Sequence, residues 1–373
     1  MRSFTALRML LHDRSSTAGS LLGVVAIVFL VGQQLSILFG LLNFMSVLVD
    51  HSGADAWILS SQITNVDAAN LIPSSYLERT IGLPEIQWAE PILFGNGLFK
   101  KKDGSFESVR VIGVRRPYLA GGPWAFVSSD NRSLLDVDSV TVDRLDLPKL
   151  GSPSIGDITE IGSTRVIIGA ITDDARGFQG TLVFGNLEKV RQISKIPPGR
   201  YSAILVKFKK GVDPKQCIDK LRVILPRASV YSTAELSQLT RTYYIINTGI
   251  GGSFGFSTVI SILIGVVIIT LTMYSSVLNR ERDFAVMRAL GARRRDIIVV
   301  VISQALIISI IGIILGFLFL AILFNAVRGT SMPHYYPKIV PPIHAGITII
   351  VSLLGSLVAL RKALKSEPAS VFH

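Results

Sequence analysis

Four long runs without a charged residue limit what this chain can fold into: residues 15–49, 242–279, 297–327 and 339–360. A bilayer's hydrocarbon core takes roughly 20 apolar residues in helical form, and each run meets that length. Between the first and second lies a polar stretch, residues 50–241, long enough for domains of its own. The other two connections are short. The layout predicts an α-helical membrane domain of four transmembrane helices, with a large α+β extracytoplasmic domain inserted between helices 1 and 2. A wholly water-soluble chain would not concentrate its apolar residues in such blocks.

The net charge of +12 is unevenly placed. Arg2, Arg8 and Arg14 precede the first run, and Arg280, Arg282, Arg288, Arg293, Arg294 and Arg295 fill the loop between the second and third. Arg361, Lys362 and Lys365 follow the fourth, whereas the loop between the third and fourth holds only Arg328 and Lys338. Basic residues in short loops mark the cytoplasmic side. Both termini and the second-to-third loop are therefore predicted to be cytoplasmic, with the large insertion outside. Arginines placed within a few residues of membrane edges are anchors, so the high isoelectric point does not indicate a nucleic-acid partner. The first run is far longer than the 7–15 apolar residues of a signal peptide and lacks a small-residue cleavage site, so it is expected to remain as a helix.

Residues 1–17 read as an amphipathic helix on the inner interface, with Phe4, Leu7 and Leu11 on one stripe. The rest divides into 18–49, transmembrane helix 1 with a stalk extension; 50–241, the external domain; and 242–279, stalk and helix 2. There follow 280–296, a cytoplasmic helix; 297–327, helix 3; 328–338, an outer loop; 339–360, helix 4; and 361–373, a cytoplasmic tail. At 1.5 Å per residue, the first two runs reach roughly 50–55 Å against a core of about 30 Å, so their outer parts are expected to leave the membrane as a stalk. In the external domain, Lys102-Asp103-Gly104 separates two strand-like runs as a hairpin turn. Helical patterns at 74–81, 187–194 and 214–224 alternate with short strands, which indicates α+β.

No catalytic constellation emerges. The chain has no G-x-x-x-x-G-K-[ST] phosphate loop and no H-E-x-x-H. The single cysteine, Cys217, cannot form an internal disulfide, and the five histidines show no ligand spacing. No metal or cofactor is expected on this chain. The aspartates Asp136, Asp138, Asp143 and Asp146 lack the glycine and glutamate of a calcium loop and read as a solvated loop. Trp124 reads as a turn residue packing locally. The membrane runs hold almost no ionisable groups (only His344), which argues against a solute or proton pathway through the bilayer. Gln33, Gln34, Asn43, Gln304 and Asn325 are expected to bond between helices. The pairs Gly19/Gly23, Gly251/Gly255 and Gly312/Gly316 are expected to allow close approach.

The most specific segment is the loop Asn279-Arg-Glu-Arg-Asp-Phe-Ala-Val-Met-Arg-Ala-Leu-Gly-Ala-Arg-Arg-Arg-Asp296. Glu281 and Asp283 in a first turn and Arg288 toward the end suit a helix dipole. Phe284, Met287 and Leu290 form an apolar strip, and Gly291 offers a left-handed stop. A basic linker resting on headgroups would need none of these features, so docking to a cytoplasmic protein is the better reading.

That segment, Glu-Arg-x-x-x-Ala-Val-Met-Arg-Ala-Leu-Gly-Ala-Arg after the second of four spans, resembles the signature of MacB/FtsX-type ABC transporter permeases. Glu367-Pro-Ala-Ser-Val-Phe372 is similar to that family's C-terminal motif. Asp55-Ala-Trp-Ile-Leu-Ser-Ser-Gln and Leu182-Val-Phe-Gly-Asn look like the DevC-type subfamily. The resemblance implies a non-catalytic homodimeric permease in a bacterial inner membrane, working with two copies of a cytoplasmic ABC ATPase that binds ATP and Mg. It further implies a periplasmic adaptor, a TolC-like outer-membrane duct, and stalk helices that carry ATPase motion to the external domain. By the same resemblance Glu281, Arg282, Phe284, Met287, Arg288, Ala289, Leu290 and Gly291 would contact the ATPase. An FtsX-like regulator of a cell-wall hydrolase and a lipoprotein-releasing permease are the alternatives.

Overall fold

The computed structural model describes residues 8–12, 14–68, 70–127, 131–178, 180–279, 283, 286–288, 290–327, 330 and 332–365. It falls into two compact units: Met1–Gly40, Gly251–Arg328 and Met332–His373 make one, and Leu41–Ile250 with Gly329–Ser331 the other. Helix α1 (Arg14–Asp50) contributes unbroken to both.

The first unit holds the N-terminal part of α1 with the long helices α6 (Ile250–Asn279), α7 (Arg294–Val327) and α8 (Val340–Lys365). Among the described residues, three helical stretches are long and apolar enough to cross a membrane: Thr17–Asp50, Ile250–Thr272 and Arg294–Val327. The apolar stretch of α8, Val340–Ser356, is shorter. Valines and isoleucines of α1 (Val24, Ile27, Val28 and Val31) pack with Ile269, Val301, Ala305, Ile308 and Leu320. Glycines make this possible. A Cβ on Gly312 or Gly316 would lie 2.6 Å from a Val24 or Val28 carbon, and one on Gly265 would lie 2.1 Å from Ile27. Where helices gain nothing from expelling water, such close backbone approach supplies the attraction. Of the polar groups expected to bond between helices, Gln34 Nε2 donates to Ser257 Oγ at 3.0 Å, and Gln304 Nε2 lies 3.7 Å from Met9 Sδ.

The second unit is built on β1 (Ala56–Ser60), β2 (Ile72–Pro73), α2 (Ser75–Ile81), β3 (Ile86–Lys100), β4 (Phe106–Val114), β5 (Ser139–Asp143), β6 (Ile158–Ile161) and β7 (Thr164–Thr172). These are followed by β8 (Thr181–Asn186), α3 (Leu187–Ile193), β9 (Arg200–Tyr201), β10 (Ala203–Phe208), α4 (Pro214–Ile224), β11 (Ala228–Ser232) and α5 (Thr233–Asn247). The sheet order is β11-β1-β10-β3-β4-β8-β5-β7-β6, with Phe99 of β3 also pairing Ile161 of β6. The pairs β4–β8 and β5–β7 are parallel. The β3–β4 turn forms at the predicted place: Gly104 has φ +83°, and the Lys101 N–H donates to the Ser105 carbonyl at 2.8 Å. Asp213 caps α4 through the Lys215 N–H, with proline in the first turn, and Ser232 and Glu235 form a reciprocal capping box on α5.

The run 242–279 is not one helix. Its first portion belongs to α5, which starts far earlier, at Thr233, and stops at Asn247; α6 begins at Ile250. Thr248 Oγ1 donates to the Tyr244 carbonyl at 2.6 Å, and Gly249 takes φ +75°, a left-handed turn that glycine adopts without a Cβ clash. Helix α5 could not be delimited by hydropathy, because Ser237 and Thr240 stand among its buried residues beside Leu236 and Tyr244.

Candidate coupling segment and stalk base

In the loop between α6 and α7, residues 283 and 286–288 are helical. Glu281, Arg282, Phe284 and Ala289 lie outside the described residues. The helix ends in a Schellman motif: the Gly291 N–H donates to the Arg288 carbonyl and the Ala292 N–H to the Met287 carbonyl, both at 3.0 Å, with Gly291 at φ +92°. α7 then starts immediately, with the Arg293 N–H bonded to Asp296 Oδ2 at 2.8 Å.

The expected apolar strip divides. Met287 is half-buried and packs against the apolar core of the helical unit, whereas Leu290 is 83% exposed and Val286 is exposed one turn before it. The outward pair is Val286 and Leu290, four residues apart on one helix face. Val286 was not among the predicted contacts; its i, i+4 relation to Leu290 was the available signal. Because φ is positive at Gly291, Gly291→Val is expected to unwind this turn more than Gly291→Ala, with Gly291→Asn mildest. Hydrogen exchange of the Ala292 amide measures this, and equal losses would place the stop elsewhere.

A second concentration of polar chemistry lies where α1 and α5 meet the β-domain. Arg241 of α5 donates to Ser46 Oγ and Asp50 Oδ2 of α1, both at 2.7 Å. Tyr244 donates to Asp67 Oδ2 at 2.8 Å, and half-buried Asp67 has Oδ1 2.9 Å from buried Arg110 on β4. Arg110 in turn lies 5.5 Å over the Phe94 ring. On the other side, the Phe178 N–H donates to the Phe44 carbonyl of α1 at 3.3 Å, and Arg176 sits 5.2 Å over the Phe44 ring.

Asp143 anchors the segment that carries Arg176 and Phe178. Its carboxylate accepts from the Leu145 and Ala175 N–H groups at 3.0 and 2.8 Å and from Thr172 Oγ1 at 2.9 Å. Burial pushes this carboxyl above its usual range, while those bonds and Arg176 pull it back. The aspartates are therefore not one solvated loop. Asp143 is fully buried, Asp146 pairs with Lys149 at 2.8 Å, and Asp138 pairs with Lys189 at 2.5 Å. Among the described residues no group of His, Cys, Asp or Glu is arranged to hold a metal. Trp124 stacks on His51, just after α1, at 4.5 Å and meets Phe184 edge-on at 6.1 Å, so it ties the end of α1 to β8.

The chain is similar to known families along most of its length. Residues 17–224 match the MacB-like periplasmic core domain and residues 255–368 the FtsX-like permease C-terminal domain. An uncharacterized ABC transporter permease of Mycobacterium tuberculosis is 25% identical over 371 residues, covering 94% of this chain and 95% of that one. A permease of Methanocaldococcus jannaschii is 29% identical over 127 residues, 32% of each chain. Among solved structures, the periplasmic region of MacB from Actinobacillus actinomycetemcomitans is 14% identical with a TM-score of 0.38, covering 50% of this chain and 92% of that one.

Proposed function

This chain belongs to the ABC transporter permeases of MacB and FtsX type, and from that premise we propose that it carries the motion of a separate ATPase through its stalk to the external domain. Membership of that family implies an ATPase partner. The observation that supports the coupling role is the outward Val286–Leu290 pair, held on a short helix by the Schellman stop in an arginine-rich loop. A helix with an exposed apolar edge fits a groove on a partner.

In this reading α8 is the fourth span, both termini are cytoplasmic, and the chain works as a homodimer in a bacterial inner membrane with two ATPase copies. Those copies bind ATP and Mg. The external domain passes its substrate to a periplasmic adaptor and a TolC-like duct, and catalysis lies on the ATPase alone. Glu281, Arg282, Phe284 and Ala289 belong to the docking surface with Leu290, while Met287 holds the docking helix against the membrane core.

Affinity purification of the full chain from its native membrane, with mass spectrometry of what accompanies it, tests this reading. An ATPase and an adaptor are expected with the wild type, and Arg288→Glu or Glu281→Lys is expected to lose the ATPase while keeping the dimer. An ATPase accompanied by a cell-wall hydrolase and no adaptor would replace export with FtsX-like regulation. Unchanged ATPase recovery in both variants would sink the docking assignment.

A further inference from the structure

The nine-stranded sheet is two sheets that share one strand. Residues 86–92 of β3 pair with β10, and residues 93–100 pair with β4; the partner changes between Ile92 and Leu93. On one side stands a near half, β11-β1-β10 with α2 and α4, around Ile58, Val206, Ile218 and Leu221. On the other stands a far half, β4-β8-β5-β7-β6 with α3, around Val111, Val142, Ile168 and Val190. Both stalk helices enter the near half through the chain itself. α1 is followed by β1 after five residues, 51–55, and β11 runs directly into α5. The far half has no such covalent tie to the stalk.

Leu48, Trp57, Leu205 and Leu236 share a buried apolar core with Ile112, Val114 and Phe184 of the far half, and Trp124 bridges His51 and Phe184. Beside this non-directional packing, two linkages of hydrogen bonds and charged groups among the described residues reach across to that half. One runs from Tyr244 of α5 through Asp67, in the turn after β1, to Arg110 of β4. The other runs from Phe44 of α1 to Phe178 and Arg176, a segment fixed to β5 by Asp143. Phe178 and Tyr244 also meet edge-on at 5.2 Å, so the linkages converge. Between them lies a void of about 20 Å³ lined by Phe44, Leu48, Asp67, Arg110, Phe178 and Leu182.

We propose that these linkages are the grip by which the stalk holds the far half, and that the two halves turn about the β3 handover when the grip moves. Buried, directional bonds resist displacement better than exposed ones. In the Asp67–Arg110 pair Arg110 is buried and Asp67 is 13% exposed, whereas the Arg241–Asp50 pair tying α1 to α5 is 39% and 29% exposed. A shift of α5 along α1 therefore breaks the Arg241 tie first and carries β4 with α5. Asp67, Arg110, Tyr244 and Phe44 are positioning residues in this scheme, which rests on the transmitting role proposed above.

Spin labels at Ile158→Cys on β6 and Val223→Cys on α4, in a Cys217→Ser background, report the separation of the halves in the full chain in nanodiscs. A narrow distance distribution is expected for the otherwise native chain. It should be about twofold wider in Asp67→Asn/Phe44→Ala and intermediate in Tyr244→Phe, which loses one hydroxyl and keeps the ion pair. Asp67→Glu should narrow it again. Arg222→Ala, which removes bonds to the Val230 carbonyl within the near half, should leave it unchanged. Unchanged widths in both grip variants, or equal broadening by Arg222→Ala, would overturn the proposal. Broadening as expected, with no distance shift when the ATPase is bound and supplied with nucleotide, would uphold the grip and defeat the transmitting role.

Discussion

Gly316→Leu is expected to abolish the close pairing of α1 and α7, and with it the folded helical unit. A Cβ at that position would sit 2.6 Å from both Cβ and Cγ1 of Val28. Carbon atoms rest at about 3.5–4.0 Å, so the two helices must part by about 1 Å before the rest of a leucine is placed. Gly312 repeats the geometry one turn away against Val24, and both valines would lose their seats together. Overpacking in a soluble core costs about 1–3 kcal/mol. Here the cost should reach the top of that range, because helices in lipid have little besides packing to hold them. The control is Gly252→Leu, where a Cβ meets nothing within 4 Å. Thermal unfolding of the detergent-solubilised chain should separate the two variants. Equal losses would mean that the Val24–Val28 ridge does not organise this unit.

What the sequence disclosed, and what it hid, follows from which physical signals are local. The three stretches long and apolar enough to cross a membrane among the described residues announced themselves because such helices need uninterrupted hydropathy. The hairpin at Lys102–Gly104 and the Gly291 stop were legible because each depends on a few adjacent residues. β5 and β8 were not marked as strands. Both are buried along nearly their whole length and engaged in parallel pairs, and a strand covered on both faces shows no alternation. The direction of Met287 was equally hidden. Whether a helical methionine faces a partner or its own core is decided by α1 and α7, not by its neighbours in sequence. The junction of α1 and α5 with the β-domain is the extreme case: Tyr244 and Asp67 are 177 residues apart in the chain, and nothing local predicts that they meet.

Asp143 shows the same limit, and replacing it gives the second large effect. Read from the chain, it is one of four aspartates in a polar stretch. In the fold it is fully buried and satisfies three donors that arrive from Leu145, Thr172 and Ala175. Asp143→Ala would leave two backbone N–H groups and a hydroxyl without an acceptor, with the buried Arg176 guanidinium losing a carboxylate 3.9 Å away. Each orphaned donor costs about 1–3 kcal/mol, and breaking a buried ionic contact about 3–5 kcal/mol. These terms overlap, so about 3–5 kcal/mol is the expected loss for the domain. Asp143→Asn keeps one carbonyl acceptor but turns an amide N–H₂ toward an existing donor, and should lose roughly half as much. The damage should spread along residues 172–178, loosening Phe178 from Phe44, so hydrogen exchange at the Phe178 amide should rise well before global unfolding. Denaturant titration of the full chain measures the first effect and local exchange the second. A variant that unfolds like the wild type would return Asp143 to the solvated loop that its sequence suggests.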